Sequence, residues 1–391
     1  MKQFCRAVFA LCILSTVVSA QRRDDDDEED SMWVDSSPDF SDLIVYQPKN
    51  TVTIGFRAIS GAKTSFGGGG LVASGQDIGD IDTNGTHRYH DGYVLPDQRT
   101  MVDSAGNIVP IEPDGRTNNW SYNNLSQITS DGLMAMHVYS ASSDISSFSS
   151  DPKGRFGVEV VRSKQMGKLF NTRVTWDLTI GASINDLSAT NNSTALGTLS
   201  TTTDYYDLEG QTPPSPGSLT LGTLLGNTPL GRDTEITEDG VVLHNNWRLR
   251  GAYLTFRAGP TLSIPIIKRI TATVSAGAVL VYAGTNYSVT QSFDPTDLLD
   301  TGEDEREDDD VVGTAQDDMG KLLPGFYVDA NLQFNLTDFT GFYVGAIYQS
   351  SGSYTHTLTV LDDDDNATAT YASKIDLGSL QGLRAGFSLK F

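Results

Sequence analysis

The stretch Phe326–Leu336, FYVDANLQFNL, alternates apolar and polar residues over eleven positions. Successive side chains of a β-strand point to opposite faces, so this pattern predicts a strand with one oily and one wet surface. A tilted strand needs about 9–11 residues to cross a bilayer, and this stretch has that length. It therefore predicts a wall strand of a transmembrane β-barrel.

The same alternation recurs in six further segments, at 52–58, 174–184, 252–264, 270–282, 342–348 and 383–391. Short connections fall at 165–168, 267–269 and 338–341, and long polar ones at 67–130, 190–245, 294–321 and 362–369. Short periplasmic turns and long extracellular loops are typical of bacterial outer-membrane barrels. The sequence therefore predicts an all-β fold, a transmembrane antiparallel up-and-down β-barrel in the bacterial outer membrane.

The number of strands depends on the region 116–143. If Asn118–Leu125 and Leu133–Tyr139 form a hairpin in the wall, the barrel has ten strands, and if they lie in a loop or the lumen it has eight. Both even numbers are allowed, because single-chain bacterial barrels begin and end at the same rim. We favour eight strands and keep ten as the alternative.

The first twenty residues have the features of a secretory signal peptide. Lys2 and Arg6 precede the apolar run Ala7–Val18, and small residues at 18–20 form a cleavage site. The apolar run is shorter than the roughly 20 residues of a spanning helix. We therefore predict three regions: a cleaved leader at 1–20, an acidic tail at 21–50 and the barrel at 51–391.

Composition excludes several classes of function. Both cysteines, Cys5 and Cys12, lie in the predicted leader, so the mature chain would have neither disulfides nor thiol chemistry. The formal charge is −23, and loss of the two cations of the leader makes it −25. Nucleic acid is not an expected partner, because phosphate binding needs clustered Lys and Arg. The acidic runs 304–310 and 362–365 are expected in loops, where divalent cations could bridge them to outer-membrane lipids.

Two short motifs resemble those of known families. The last strand places Phe387, Leu389 and the terminal Phe391 on one face, and this resembles the assembly signal of bacterial outer-membrane proteins. The resemblance implies recognition by the outer-membrane assembly machinery. The pair YHDGYV (89–94) and NWSY (119–122) is similar to an uncharacterised family of outer-membrane β-barrel proteins, which implies the fold and no activity.

Alternation places a set of charged side chains inside the barrel. By parity, the residues expected to face the lumen are Arg57, Glu159, Arg173, Asp177, Arg257, Asp329 and Arg384. Charges inside a narrow barrel must pair with one another. We favour a salt-bridged plug, with a polar conduit or gate as the alternative.

The segment 80–91, DIDTNGTHRYHD, has the spacing of a calcium loop. The ligands would be Asp80, Asp82, Asn84, the Thr86 carbonyl and Asp91, with Gly85 at the sharp turn. Asp91 replaces the usual longer Glu, and no flanking helices are evident. The alternative is a turn-rich extracellular loop, and we expect no other cofactor.

Catalysis has little support, because no nucleophile, base and orienting group can be matched from the five histidines. We expect a protein that is not an enzyme, with a structural or porin-like passive small-solute transport role. Two alternatives are a barrel-embedded hydrolase and a secreted soluble β-sandwich that binds a ligand.

Overall fold

The computed structural model describes residues 49–72, 76, 78–83, 86–150, 155–170, 172–218, 222–295, 311–361 and 365–391, without the side chains of 144–150. The predicted leader and almost all of the predicted acidic tail lie outside these residues. No helix in the described part of the chain is long and apolar enough to cross a membrane.

Nineteen strands and one short 3-10 helix, Leu125–Gln127, make up the described secondary structure. In chain order the strands are β1 (Asn50–Ser60), β2 (Lys63–Val72), β3 (His87–Tyr89), β4 (Gly92–Val94), β5 (Thr100–Val102), β6 (Ile108–Pro110), β7 (Arg116–Thr117), β8 (Trp120–Tyr122), β9 (Leu133–Ser150), β10 (Arg155–Lys168), β11 (Thr175–Asp207), β12 (Leu225–Gly226), β13 (Gly231–Ile267), β14 (Ile270–Phe293), β15 (Val311–Asn335), β16 (Thr340–Ser350), β17 (Ser353–Leu361), β18 (Ala367–Asp376) and β19 (Leu380–Lys390).

Antiparallel pairings close a ring around the lower part of the molecule. The order around the ring is β1, β10, β11, β13, β14, β15, β16, β19 and back to β1. The first and last strands meet at the short-turn rim, where Asn50 and Phe391 exchange backbone hydrogen bonds of 3.0 and 2.9 Å. Because one sheet closes on itself, the soluble-sandwich alternative, which needs two stacked sheets, is wrong.

The outward face of this ring is apolar and uncovered. Phe56, Phe156 and Phe387 are 70%, 78% and 71% exposed, and the other outward positions are mainly Leu, Ile, Val and Ala. A continuous belt of this kind is stable only against hydrocarbon, and the alternating polar residues face the lumen. The chain is therefore an outer-membrane β-barrel, and we call this outward face the apolar belt.

Above the belt the wall continues, but four strands are replaced. The strand β2 stands above β1, which it follows in the chain past Gly61. In the same way β9 stands above β10, β17 above β16 and β18 above β19. The upper order is β17, β18, β2, β9, β11, β13, β14 and β15. Among the described residues no backbone pairing joins β15 to β17, so a seam separates these two strands.

The polarity of the wall reverses where the belt ends. On β13 the outward residues change from Phe256 and Leu254 to Arg250 and Arg248, while the inward residues change from Arg257 to Trp247. Water surrounds the upper wall, so its outward face is mainly polar and its lumen becomes the hydrophobic core.

This reversal explains where the predicted loops differ from the structure. Segments 67–72, 190–207, 231–245 and 311–321 belong to β2, β11, β13 and β15 and are not loops. The sequence pattern was interpreted with an apolar, lipid-facing outward side as the mark of a wall strand. These segments have polar outward residues, so they resembled loops. In the region 116–143, Asn118–Leu125 lies outside the wall, whereas Leu133–Tyr139 belongs to β9 and pairs with β11 above the belt.

Candidate functional site: the lumen and the cap

Five of the seven charged residues predicted for the lumen meet in one buried layer. Arg57 on β1, Glu159 on β10, Arg257 on β13, Asp329 on β15 and Arg384 on β19 are each 5% exposed or less. They come from five strands, and strict alternation brings them to the same side of the wall. We call these five residues the charged layer.

Arg384 joins the two acidic residues of the layer. Its Nε lies 2.7 Å from Oε1 of Glu159, and its Nη1 lies 2.8 Å from Oδ2 of Asp329. Arg257 donates to the same two carboxylates, at 3.1 Å to Asp329 and 3.3 Å to Glu159. Two guanidinium groups therefore bridge two carboxylates across the lumen, as buried charges require.

Neutral side chains complete the layer. The hydroxyl of Tyr343 donates to Glu159 at 2.6 Å, and the ring of Tyr343 lies 5.2 Å from the Arg384 guanidinium. Arg57 donates to Ser183 and stands 3.9 Å from Glu159, so it is the least tightly paired of the three arginines. Three cations against two anions leave the charged layer with one excess positive charge.

Arg173 and Asp177 are placed elsewhere. Arg173 is exposed in the turn between β10 and β11, because β10 continues to Lys168 and the turn occupies 169–174 and not the predicted 165–168. The prediction for Arg173 is therefore wrong. Asp177 does face the lumen, but it lies below the layer, where it accepts a hydrogen bond of 2.7 Å from Ser263.

The lumen below the charged layer is polar and narrow. A chain of hydrogen-bonded hydroxyls runs along the lumen side from β10 to β14, with oxygen–oxygen distances of 2.7–2.8 Å. Its members are Ser163, Thr179, Thr261 and Ser275. The polar cavity beside them has a volume of only about 80 Å³. It is closed from above by Arg257, Asp329 and Arg384.

Above the charged layer an aromatic cluster fills the lumen, and sequence analysis missed it. Phe66, Trp247 and Tyr287 are fully buried, and the Phe66 ring lies 6.1 Å from Trp247 and 5.9 Å from Tyr287. Tyr371 packs edge-on against Trp247 at 5.7 Å. Inward aromatic residues that alternate with outward Arg and Asn were the available signal, as at 246–250.

The two halves of the YHDGYV and NWSY motif are partners in space. They form β4 and β8, in which Gly92, Tyr93 and Val94 pair with Tyr122, Ser121 and Trp120. With β3 these strands build a small sheet over the outward face of β9 and β11. We call the described residues of 78–128 the cap.

One turn of the cap covers an open strand edge. Among the described residues the pairing of β2 with β9 ends at Val72 and Ala141, and beyond this point His90 and Asp91 lie along the edge of β9. The His90 amide donates to the His137 carbonyl at 3.0 Å, and the His137 amide donates to Asp91 Oδ1 at 2.8 Å. The Tyr139 amide donates to His90 Nδ1 at 3.0 Å. The turn thus satisfies edge groups that would otherwise be open to another strand.

Asp91 also contacts the imidazole of His137, with Oδ2 2.5 Å from Nδ1. The Asp91 side chain is 1% exposed and that of His137 is 25% exposed. A carboxylate on Nδ1 orients an imidazole as in a catalytic base. Within the described part of the chain, no hydroxyl hydrogen-bonds to the other ring nitrogen of His137, so a nucleophile for this pair is not evident.

A second contact ties the cap to the wall. Arg232 on β13 donates to Asp204 on β11 at 2.6 and 2.8 Å, and Tyr89 donates to the same carboxylate at 2.6 Å. Hydrogen bonding to Asp204 raises the pKa of Arg232, and burial beside Tyr206 and Asp204 raises the pKa of Tyr89. This pair of charges fixes the cap against the barrel.

The predicted calcium ligands that the structure describes do not gather into a cluster. Asn84 lies outside the described residues, Asp80 and Asp82 are exposed, and Asp91 is bound to His137. No cluster of three or more His, Asp or Glu suited to a metal occurs among the described residues. Instead the buried ring of His87 lies inside the loop, with Nε2 3.0 Å from the Thr83 carbonyl and Nδ1 against that of Ile78. The calcium loop and the turn-rich loop both stay predictions, and the contacts of His87 favour the turn-rich loop.

The remaining predicted site residues lie at the membrane surface or outside the described part. Phe387, Leu389 and Phe391 are 71%, 51% and 44% exposed on the apolar belt. Residues 304–310 and 362–364 of the acidic runs lie outside the described residues.

Comparisons with known proteins give only weak structural similarities to outer-membrane proteins. No family model and no curated protein matches the sequence. The outer membrane protease OmpT from Escherichia coli is similar with a TM-score of 0.28 and 9% identity, over 90% of this chain and 99% of that one. Ail, the attachment invasion locus protein of Yersinia pestis, has a TM-score of 0.21 and 8% identity, over 88% and 100%. A Pseudomonas aeruginosa FadL homologue has a TM-score of 0.17 and 9% identity, over 88% and 90%.

Proposed function

We propose that this outer-membrane barrel has a sealed lumen and serves as a structural platform that holds a folded cap at the cell surface. The observation that supports this proposal is that side chains fill the lumen at two successive levels. The charged layer closes the lower lumen, and the cluster around Trp247 fills the upper lumen. A barrel of this bore is filled by its own side chains, which supports a structural role over passive transport.

Planar-bilayer conductance tests the sealed lumen. The refolded protein is expected to produce no discrete current steps, whereas a general porin refolded in the same way provides the positive control. Reproducible single-channel steps from the wild-type protein would contradict the proposal.

Surface display is tested with single cysteines, because both native cysteines lie in the predicted leader. Ser104→Cys lies in an exposed turn of the cap, and Asp338→Cys lies in the exposed short turn before β16. A membrane-impermeant maleimide applied to intact cells should label Ser104→Cys alone, and both after lysis. Labelling of Asp338→Cys on intact cells would reverse the orientation.

A hydrolase is the second candidate, and the Asp91–His137 pair favours it. A carboxylate-oriented imidazole can act as a general base towards water. The sealed-platform proposal predicts no turnover of a panel of fluorogenic peptides and lipid esters. Turnover that His137→Gln abolishes and Arg173→Gln preserves would establish the hydrolase instead, since Arg173 is exposed in the turn between β10 and β11 at the opposite rim.

A further inference from the structure

The outward face of β13 above the apolar belt has an ordered sequence of side chains. From the belt upward it presents Arg250, Arg248, Asn246 and His244, all exposed. Their cross-strand neighbours are uncharged, namely Ser188, Thr190, Asn192 and Thr194 on β11 and Asn286, Ser288, Thr290 and Ser292 on β14. We call these twelve residues the outer ladder.

The two arginines of the outer ladder are free cations in a strongly acidic protein. Within the described part of the chain neither Arg248 nor Arg250 forms an ion pair or a side-chain hydrogen bond. The nearest carboxylates in the wall are already engaged, since Asp186 pairs with Arg155 at 3.3 Å and Asp318 accepts from Asn286 at 2.8 Å. Unpaired, planar guanidinium groups on one face are suited to multiply charged oxyanions such as phosphates.

The height of the arginines identifies where such an anion would come from. Leu254 and Phe256 on the same outward face belong to the apolar belt, and Ala252, which lies beside Asp186, marks its edge, so Arg250 stands within two outward positions of hydrocarbon. Two residues along a strand span about 7 Å, so the two guanidinium groups lie within the headgroup zone. Cationic side chains in this zone bind anionic lipid headgroups.

The upper end of the ladder is suited to sugars. A shallow depression of about 520 Å³ is lined by uncharged or weakly basic side chains, which are Asn192, Ser193, Thr194, His244, Asn245, Asn246, Thr290 and Ser292. Amide and hydroxyl groups in this arrangement can donate to and accept from sugar hydroxyls. Hydrocarbon contact, cationic groups and polar groups thus follow one another along a single strand.

We propose that the outer ladder binds a phosphorylated glycolipid of the outer leaflet, with acyl chains on the belt, phosphate on Arg248 and Arg250, and sugars on the Asn and Thr side chains above. The occupant follows from charge complementarity and from continuity with the lipid-facing belt. The proposal rests on the orientation proposed above, in which the upper wall lies outside the cell, and not on the sealed lumen; the vesicle experiment tests lipid binding whatever that orientation is.

The test compares thermal unfolding of the barrel in phosphatidylcholine vesicles that contain one added lipid. The additions are bis-phosphorylated lipid A, dephosphorylated lipid A, lipopolysaccharide with core sugars, and phosphatidylglycerol. A ligand that binds the folded form raises its melting temperature. Wild type should gain stability with lipid A, more with core sugars, and little with the other two lipids.

Variants locate the effect. Arg248→Gln/Arg250→Gln should weaken retention of lipid A on the order of tenfold and remove the gain in melting temperature. Lys168→Gln/Arg173→Gln removes two exposed charges at the opposite rim and should retain the gain. Asn192→Ala/Asn246→Ala should lose only the extra gain from core sugars. A full lipid A effect in the double arginine variant, or an equal effect of phosphatidylglycerol, would overturn the proposal.

Discussion

Arg384 hydrogen-bonds both acidic residues of the charged layer, Glu159 at 2.7 Å and Asp329 at 2.8 Å. Arg257 bridges the same pair, and Arg57 lies 3.9 Å from Glu159, so Glu159 faces three arginines. Asp329 is the other carboxylate of the layer that balances their positive charge. Removing Glu159 would leave an uncompensated buried cluster of cations.

Glu159→Gln is therefore expected to lower the free energy of unfolding by about 3 kcal/mol or more. The measurement is the urea midpoint of the refolded protein in detergent. Arg173→Gln is the matched control, because Arg173 shares the predicted parity but lies exposed in a turn. Its effect should stay within about 0.5 kcal/mol. Equal effects of the two variants would contradict the charged layer.

Trp247→Ala is expected to destabilise the fold by about 3–5 kcal/mol, since it removes the centre of the upper aromatic cluster. Unfolding is followed by near-UV circular dichroism. Phe256→Ala provides the comparison, as Phe256 is 41% exposed on the apolar belt. If Trp247→Ala cost no more than Phe256→Ala, the upper lumen would be wet and not a packed core.

Asp91→Ala should open the edge of β9. It removes the acceptor for the His137 amide and the partner of the His137 ring, at a cost of about 1–3 kcal/mol. Amide hydrogen exchange at His137 should accelerate, while Asp131→Ala, at an exposed position nearby, should leave it unchanged. Unaltered exchange in Asp91→Ala would argue for a role of the pair outside the fold.

Calcium is expected to leave the melting temperature unchanged. The His87 ring contacts the carbonyls of Ile78 and Thr83 and holds this segment without a cation, so His87→Ala should lower the melting temperature with or without the ion. Scanning calorimetry with calcium and then chelator makes the comparison. A rise with calcium that Asp80→Asn/Asp82→Asn removes would restore the calcium site.

Two variants of Phe391 can distinguish a role of its side chain in assembly from a role of its backbone in closing the barrel. Its backbone pairs with Asn50, whereas its side chain lies on the belt. Phe391→Ala keeps the backbone bonds and deletion of Phe391 removes them. If the side chain is an assembly signal, both variants should accumulate unfolded in the periplasm, as judged by heat-modifiable gel mobility. Normal assembly of Phe391→Ala would contradict the signal.

The parity of the wall strands was predictable because alternation is a local property. It placed Arg57, Glu159, Arg257, Asp329 and Arg384 inside without knowledge of their partners, as found. It failed at Arg173, where the strand begins later than the pattern. The role of Asp91 was beyond reach, since its partner His137 is 46 positions away and a spacing motif suggested a different chemistry.

The upper wall was misjudged for a physical reason. Polar outward residues such as Asn246 and Arg248 resemble a loop only if the outside is taken to be lipid throughout. Once the strand leaves the belt, water is the outer solvent, and the same alternation describes a soluble β-structure.

The exchange of polarity along β13 also fixes the register of β13 against β11. Slipping by one residue against β11 would turn Arg257 into hydrocarbon and, ten residues higher, Trp247 into water. Each misalignment is thus penalised twice, by two solvents of opposite preference. A long strand built this way tolerates far fewer wrong pairings than one surrounded by a single medium.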